Sequence, residues 1–400
     1  MGQDRKERRL SAAAETGVVL SGGGANGAYE VGVLEALIRG RSPATGYRPI
    51  DPGVYAGTSV GAFNAAVMAS RPGLPAGAVV AELRALWLDR VANSLERCGN
   101  GIYRVRGAPF QLLSPGCLTH PVEALLELGA DVANLAAYGV VKGAQFLASD
   151  APLQSRLVSL IDLEAFISES PFKRLLAESI DLDCLRRSAK RLTVAATDWE
   201  RGRLQLYTKE QLAGAVGTDG ILASAALPGI FPPVPIDGVP YVDGGVLLNS
   251  PLGPVIADGA TTIHLIFLDP RIRNIALTPL PSTADTFYRF TAIIWAANVR
   301  HDLLAAAAIN ALVQRSVAPA RAGRPYREVT IHVYRPATAL GSGDSVLDFR
   351  ARRLAGLIEL GFQDAVRHDC AAAGCLVAGA DAAGAAGLWR ETATEESGAR

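Results

Sequence analysis

The sequence predicts an α/β protein built on a mostly parallel central sheet. Three observations lead there. The apolar run GVVLS (17–21) ends in glycines, and Val31, Val33, Leu34, Leu37 and Ile38 then repeat at helical spacing. A second run, VYAGTS (54–59), leads into VGAFNAAVMAS, a helix of small residues able to pack tightly on a sheet. Short apolar runs recur downstream at TTIHLIFLD (261–269) and VTIHVYRP (329–336). Strand, helix, strand, helix is the pattern of parallel strands joined by helical crossovers.

The remaining elements follow in order. Residues 41–52 are rich in Pro, Gly and Ser and read as a loop. From about 76 to 190 the chain reads as mostly helical, with EALLELGADVANLAAYGVV and FKRLLAESI at helical spacing. An insert of that kind is expected to cap the edge of the sheet. RLTVAATDWERGRLQLYT (191–208) is two apolar runs around Glu200-Arg201-Gly202, a hairpin. FTAIIWAANVRHDLLAAAAINALV (290–313) is interrupted by Arg300, His301 and Asp302. It is therefore expected as a helix on a core, not a membrane span. Residues 350–367 are the last predicted helix. The expected organisation is a tail over 1–15, one domain over 16–375 and an Ala/Gly-rich tail over 376–400.

Composition excludes some functions. Of 400 residues 49% are hydrophobic and 20% charged, as in a well-buried globular chain. Lys+Arg and Asp+Glu are both 39, so no global field attracts nucleic acid or an anionic membrane. The start, MGQDRKERRL, is charged where a signal peptide needs an apolar core, and Lys6 replaces the Ser or Thr of a myristoylation signal. The five cysteines, Cys98, Cys117, Cys184, Cys370 and Cys375, are odd in number and irregular in spacing. They read as free thiols in a reducing compartment. Cys370 and Cys375 are close, but no second pair or His cluster is evident beside them, so no metal site is expected. Together these features predict a cytoplasmic protein.

Two glycine motifs carry the chemistry. Gly22, Gly24 and Gly27 have G-x-G-x-x-G spacing between a strand and a helix. Such a loop can hold a phosphate or any other anion on its backbone N–H groups. Gly57-Thr58-Ser59-Val60-Gly61 is G-x-S-x-G in strand–turn–helix context. Small neighbours let that turn close with the Ser59 hydroxyl exposed at a helix start. A dinucleotide reading would use Asp51 for a ribose, but Asp51 lies before the second strand rather than at its carboxyl end. A nucleophilic serine also needs a base. His120, His264, His301, His332 and His368 offer none in an obviously catalytic loop: His264 and His332 fall in strands, His301 and His368 in helices. Only one strand–helix unit precedes Ser59, too few for the Ser-Asp-His order of the α/β-hydrolases. Asp243-Gly244-Gly245, in a glycine turn after Val239–Val242, places a carboxylate where it can face a cleft.

G-G-G-x-x-G, G-x-S-x-G about 30 residues later and a distant D-G-G together resemble the patatin-like phospholipases, Ser-Asp dyad acyl hydrolases related to the cytosolic phospholipase A2 enzymes. ATDWERGR (196–203), Ala223–Ala226 with Pro228, Phe231-Pro232-Pro233 and Asn249-Ser250-Pro251 agree with that resemblance, which covers roughly 16–270. It implies a three-layer α/β/α fold, Ser59 as nucleophile, Asp243 as base and Gly22, Gly23 and Gly24 as oxyanion hole. No cofactor or metal is implied. The implied substrate is a lipid or phospholipid ester met at a membrane surface. The alternatives are an esterase or thioesterase on small acyl groups, or a weakly active lipid-binding member. The family usually carries Arg or Lys where this chain has Asn26, which removes a positive charge near the anion site. Tyr29, Trp87 and Trp295 are candidates for a lipid path or for core.

Overall fold

The computed structural model describes residues 15–93, 100–106, 121–150, 152, 166–276, 281–315, 320–321 and 324–379. The N-terminal tail to residue 14, His120, Cys98, Cys117 and most of the C-terminal tail lie outside them.

The main sheet has eight strands: β1 (Glu15–Leu20), β2 (Val54–Thr58), β3 (Arg191–Asp198), β4 (Arg203–Thr208), β5 (Val234–Ile236), β6 (Val239–Asp243), β7 (Ala260–Ile266) and β8 (Thr330–Tyr334). The order is β8-β7-β1-β2-β3-β6-β5, with β4 paired to β3. The five strands from β8 to β3 run parallel. The others are antiparallel to their neighbours. The expected hairpin at 191–208 is β3 and β4.

Strand alternation sends side chains to two faces, and both are covered. Val18, Leu20 and Tyr55 pack with helices α1 (Ala28–Ile38) and α2 (Val60–Ala69). Val19, Val54 and Ala56 pack on the opposite face, against Val299, Leu303 and Ala306 of helix α3 (Thr283–Gln314) and Leu252 and Val255. Helix α4 (Ala351–Val366) joins the first layer through Leu354, Leu357 and Ile358. The result is the three-layer α/β/α fold, with a mixed but mostly parallel sheet.

Among its described residues the 76–190 segment is mostly helical, as expected, with Ala76–Ala85, Pro121–Ala148, Ser170–Ser179 and Leu182–Arg187, and it adds a short antiparallel pair, Arg104–Val105 with Ile167–Ser168. Two expectations need correction. His368 does not lie in a helix: α4 ends at Val366, and a further single turn, Cys370–Ala373, follows it. The expectation of no His cluster beside Cys370 and Cys375 also fails, because the fold brings His332 and His368 to them.

Helix α3 is longer than the 290–313 run suggested. Ser282 and Asp285 close a capping box at its start. By length and composition it is long and apolar enough to cross a membrane, yet its second half packs on the sheet. The first half is different: Phe287, Phe290, Ile293 and Ile294 are exposed.

Candidate active site

The site forms where strands β1, β2 and β7 end at one edge of the sheet, the carboxyl edge at which open α/β sheets bind ligands. Strand β2 stops at Thr58, and Ser59 follows with φ 56° and ψ −126°. A positive φ is costly for a residue with a Cβ, so the surrounding structure must impose it. Two contacts do. Gly61 packs so closely that a Cβ there would stand 2.4 Å from the Leu20 carbonyl oxygen. The Ser59 N–H donates to the Ser224 hydroxyl at 2.8 Å. Ser224→Ala leaves that N–H without its acceptor. We expect a loss of about 1–3 kcal/mol in stability, read as a lower unfolding midpoint, together with a slower reaction.

Register explains how Asp243 reaches Ser59. Strand β3 is occupied along one edge by β4, from Thr193 to Asp198. Its other edge is shared. Thr58 of β2 pairs with Ala195, and Asp243 of β6 pairs with the next residue, Ala196. The strand ends that carry Ser59 and Asp243 therefore meet head-on, although 184 residues separate them in the chain. Asp243 is only 3% exposed. The Gly245 N–H donates to its Oδ1 at 2.7 Å. Burial pushes the carboxyl up to about 7, against hydrogen bonds from the Ser59 side chain and the Gly245 backbone that hold it down.

The glycine loop is fixed from the other side by Asn249. The Gly22 N–H donates to Asn249 Oδ1 at 3.1 Å, and Asn249 Nδ2 donates to the Gly22 carbonyl at 3.3 Å. The Ser21 and Ser250 hydroxyls add a 2.6 Å bond. Gly22 packs against Asn249 Oδ1 and Ser59 Cβ at distances that leave no room for a side chain. Its N–H is thus already committed, which narrows the expected anion-binding set. Among the described residues no partner is recorded for the N–H groups of Gly23 and Gly24.

Ser59, Asp243, Gly22, Gly23 and Gly24 all line one cavity of about 650 Å³. Phe63, Phe172, Phe231, Leu268 and Phe287 supply much of its apolar wall. Trp295 also lines it and donates from Nε1 to the Gly245 carbonyl at 2.7 Å. Tyr29 and Trp87 are core residues, fully buried. Asp51 stays away from the glycine loop and pairs with Lys190.

Sequence reasoning missed three groups. Asp269, three residues past β7, is a second buried carboxyl in the cavity, pushed up to about 6 by burial. Arg353, from the start of α4, donates to Asn26 Oδ1 at 2.7 Å. A cation therefore does stand beside position 26, supplied from far along the chain. Asn249 was visible only as part of an Asn-Ser-Pro turn. Its signal was a short amide side chain in a Pro/Gly-rich stretch just after the D-G-G.

The site is thus a strained serine beside a buried carboxyl at the carboxyl edge of an open α/β sheet. The family model described as patatin-like phospholipase matches residues 18–256, and the chain belongs to that family, whose members are lipid acyl hydrolases. No curated protein matches the sequence. Solved structures are similar only remotely. VipD from Legionella pneumophila is 15% identical, with 89% of this chain and 67% of that one covered and a TM-score of 0.40. The type III effector protein ExoU is 15% identical, with 96% and 62% covered and a TM-score of 0.31. ExoU of Pseudomonas aeruginosa in its complex with SpcU is a further match, at 18% identity, 88% and 53% covered, and a TM-score of 0.26. The chain thus spans less than two thirds of the matched ExoU chains.

Proposed function

We propose that the protein is a phospholipase A-type acyl hydrolase with Ser59 as nucleophile and Asp243 as its base. The observation that carries this reading is the junction on β3: Thr58, which leads into the strained Ser59, and the buried Asp243 take consecutive register positions, and Ser59 and Asp243 line one apolar cavity. A bound ester sets its carbonyl carbon over Ser59 Oγ. Asp243 takes the hydroxyl proton as Oγ attacks, with no imidazole between them. A carboxyl titrating near 7 is a far better base than an ordinary one near 4. The negative charge that develops on the carbonyl oxygen is held by the N–H groups of Gly23 and Gly24, with the N-terminal end of α2 adding positive potential. Asp243 returns its proton to the departing alcohol. Water, activated by the same carboxylate, then hydrolyses the acyl-serine. Gly22 has a different part: clamped by Asn249, it fixes the loop that aims its neighbours.

The apolar wall favours long acyl chains over small groups. Phe287 is half exposed and lines the cavity, so the cavity opens beside the exposed stripe of Phe290 and Ile293 on α3. These residues are spaced to share a helix face, and we propose that this face rests on a lipid surface. The test compares acyl release from mixed phospholipid vesicles with hydrolysis of p-nitrophenyl butyrate. Vesicle cleavage is expected to dominate. Phe290→Ser with Ile293→Ser is expected to lower vesicle hydrolysis roughly tenfold or more, at about 1.5–3 kcal/mol for each buried apolar side chain, and to leave the soluble ester unaffected. Cleavage of the short ester alone would mark a soluble esterase instead.

A further inference from the structure

A second cluster lies at the outer edge of the sheet, among residues that do not line the catalytic cavity. His332 sits on the edge strand β8. Beyond α4 the chain doubles back: Asp369 caps the single turn Cys370–Ala373, and Gly374 at φ 78° reverses it. Leu376 then pairs with Ile331 in both directions, N–H to O at 2.7 and 2.9 Å. That return brings Cys375 alongside β8, where the Val333 N–H donates to its sulfur at 3.2 Å.

One ligand atom from each of His332, His368, Cys370 and Cys375 falls within 4.8 Å of all the others. Cys370 Sγ lies 3.4 Å from His332 Nδ1 and 3.4 Å from His368 Nε2, and Cys375 Sγ lies 3.3 Å from His368 Nε2. A tetrahedral zinc ion, with bonds of about 2.3 Å to sulfur and about 2.0–2.1 Å to nitrogen, sets neighbouring ligand atoms roughly 3.3–3.8 Å apart. Both cysteines are free rather than joined in a disulfide. The imidazoles are also held in place. His264 stacks on His332 with ring centroids 5.3 Å apart, His264 Nδ1 meets the Tyr334 hydroxyl at 3.2 Å, and the Tyr334 ring leans on His368 at 4.4 Å.

We propose that His332, His368, Cys370 and Cys375 bind one zinc ion in a closed Cys2His2 site. Two thiolates and two neutral imidazoles give a neutral complex with Zn²⁺, and two thiol protons are released on binding. Four protein ligands leave no position for substrate, so the site is structural. The soft sulfur donors select zinc over magnesium or calcium. Its part in the fold follows from its place. A parallel sheet that ends in a bare edge strand is open to pairing with another chain. The zinc clips the returning segment 368–376 onto that edge and covers it.

The proposal is tested on the full, untagged chain purified under reducing conditions. Metal analysis is expected to find one zinc per chain, with Ser59→Ala and Cys184→Ser unchanged and Cys370→Ser and Cys375→Ser without zinc. Cobalt exchanged into the wild type is expected to show thiolate charge-transfer bands and tetrahedral d–d bands. These do not depend on a variant that folds. Removing zinc with a chelator is expected to lower the unfolding midpoint, and zinc but not magnesium is expected to restore it. Reduced wild type that holds no zinc and gives no cobalt–thiolate bands would overturn the proposal. So would a native Cys370–Cys375 disulfide, seen as a peptide lighter by two hydrogens.

Discussion

Ser59→Ala is expected to lose hydrolysis of every ester the wild type cleaves, by roughly 10⁴-fold or more, with little change in stability. The reason for so large an effect is that, in the proposed mechanism, Oγ forms the acyl bond that breaks the reaction into two easier steps. The reason for so small a structural effect is that the strained backbone at position 59 is fixed by its neighbours rather than by its own side chain. Gly61 lies against Leu20, and Ser224 accepts from the backbone N–H of position 59, contacts that do not involve the Ser59 side chain. The check is a pair of measurements, initial rates on vesicles and an unfolding curve. A variant that unfolds alongside its loss of activity would point to a structural serine.

Asp243→Asn is expected to reduce the rate by roughly 10³–10⁴-fold while stabilising the protein at alkaline pH. The amide keeps the acceptor for the Gly245 N–H but cannot take a proton. The sign of the stability change follows from linkage. The folded carboxyl titrates near 7, well above its ordinary value of 3.8, so the native state binds more protons than the unfolded state between those values. Its stabilising contribution is intact below the ordinary carboxylate range and is lost as pH rises through about 7. Above that pH the buried charge costs on the order of 4 kcal/mol. Asn removes that cost, so its unfolding midpoint should exceed the wild type's at pH 8 and approach it at pH 5. Wild-type kcat/KM should rise with pH toward a plateau above about 7. Asp269→Asn is the matched control, because Asp269 is the other buried carboxyl in the cavity. If Asp269→Asn removes the activity and Asp243→Asn spares it, the two carboxyls have been assigned the wrong way round.

Much of this was legible because local signals and the fold agree. Alternating and continuous apolar runs announced β1, β2, β3, β7 and β8, and Gly57 and Gly61 announced the turn between β2 and α2. Asp243 was marked by a glycine turn and by its resemblance to family members. What the sequence could not carry was pairing between distant segments. Nothing local says that Asp243 will pair with Ala196 one step beyond Thr58's partner, that Asn249 will take the Gly22 N–H, or that Arg353 will meet Asn26. The four candidate zinc ligands failed to announce themselves for the same reason. His332 is 36 residues before His368, on a strand whose apolar pattern hid it, and only the return of the chain along the edge strand brings the two together. Helix α3 was read correctly as one helix through Arg300, His301 and Asp302, but its start was placed too late; the capping box at Ser282 and Asp285 was the available sign that it begins earlier.

The central claim, that Ser59 is the nucleophile, is tested most directly by titrating the protein with a long-chain fluorophosphonate and locating the adduct by peptide mass spectrometry. One equivalent bound, on the peptide that carries Ser59, with labelling that slows as pH falls below 7, is the predicted result. Adduct on a different residue, or none with Ser59 intact and the protein folded, would contradict it.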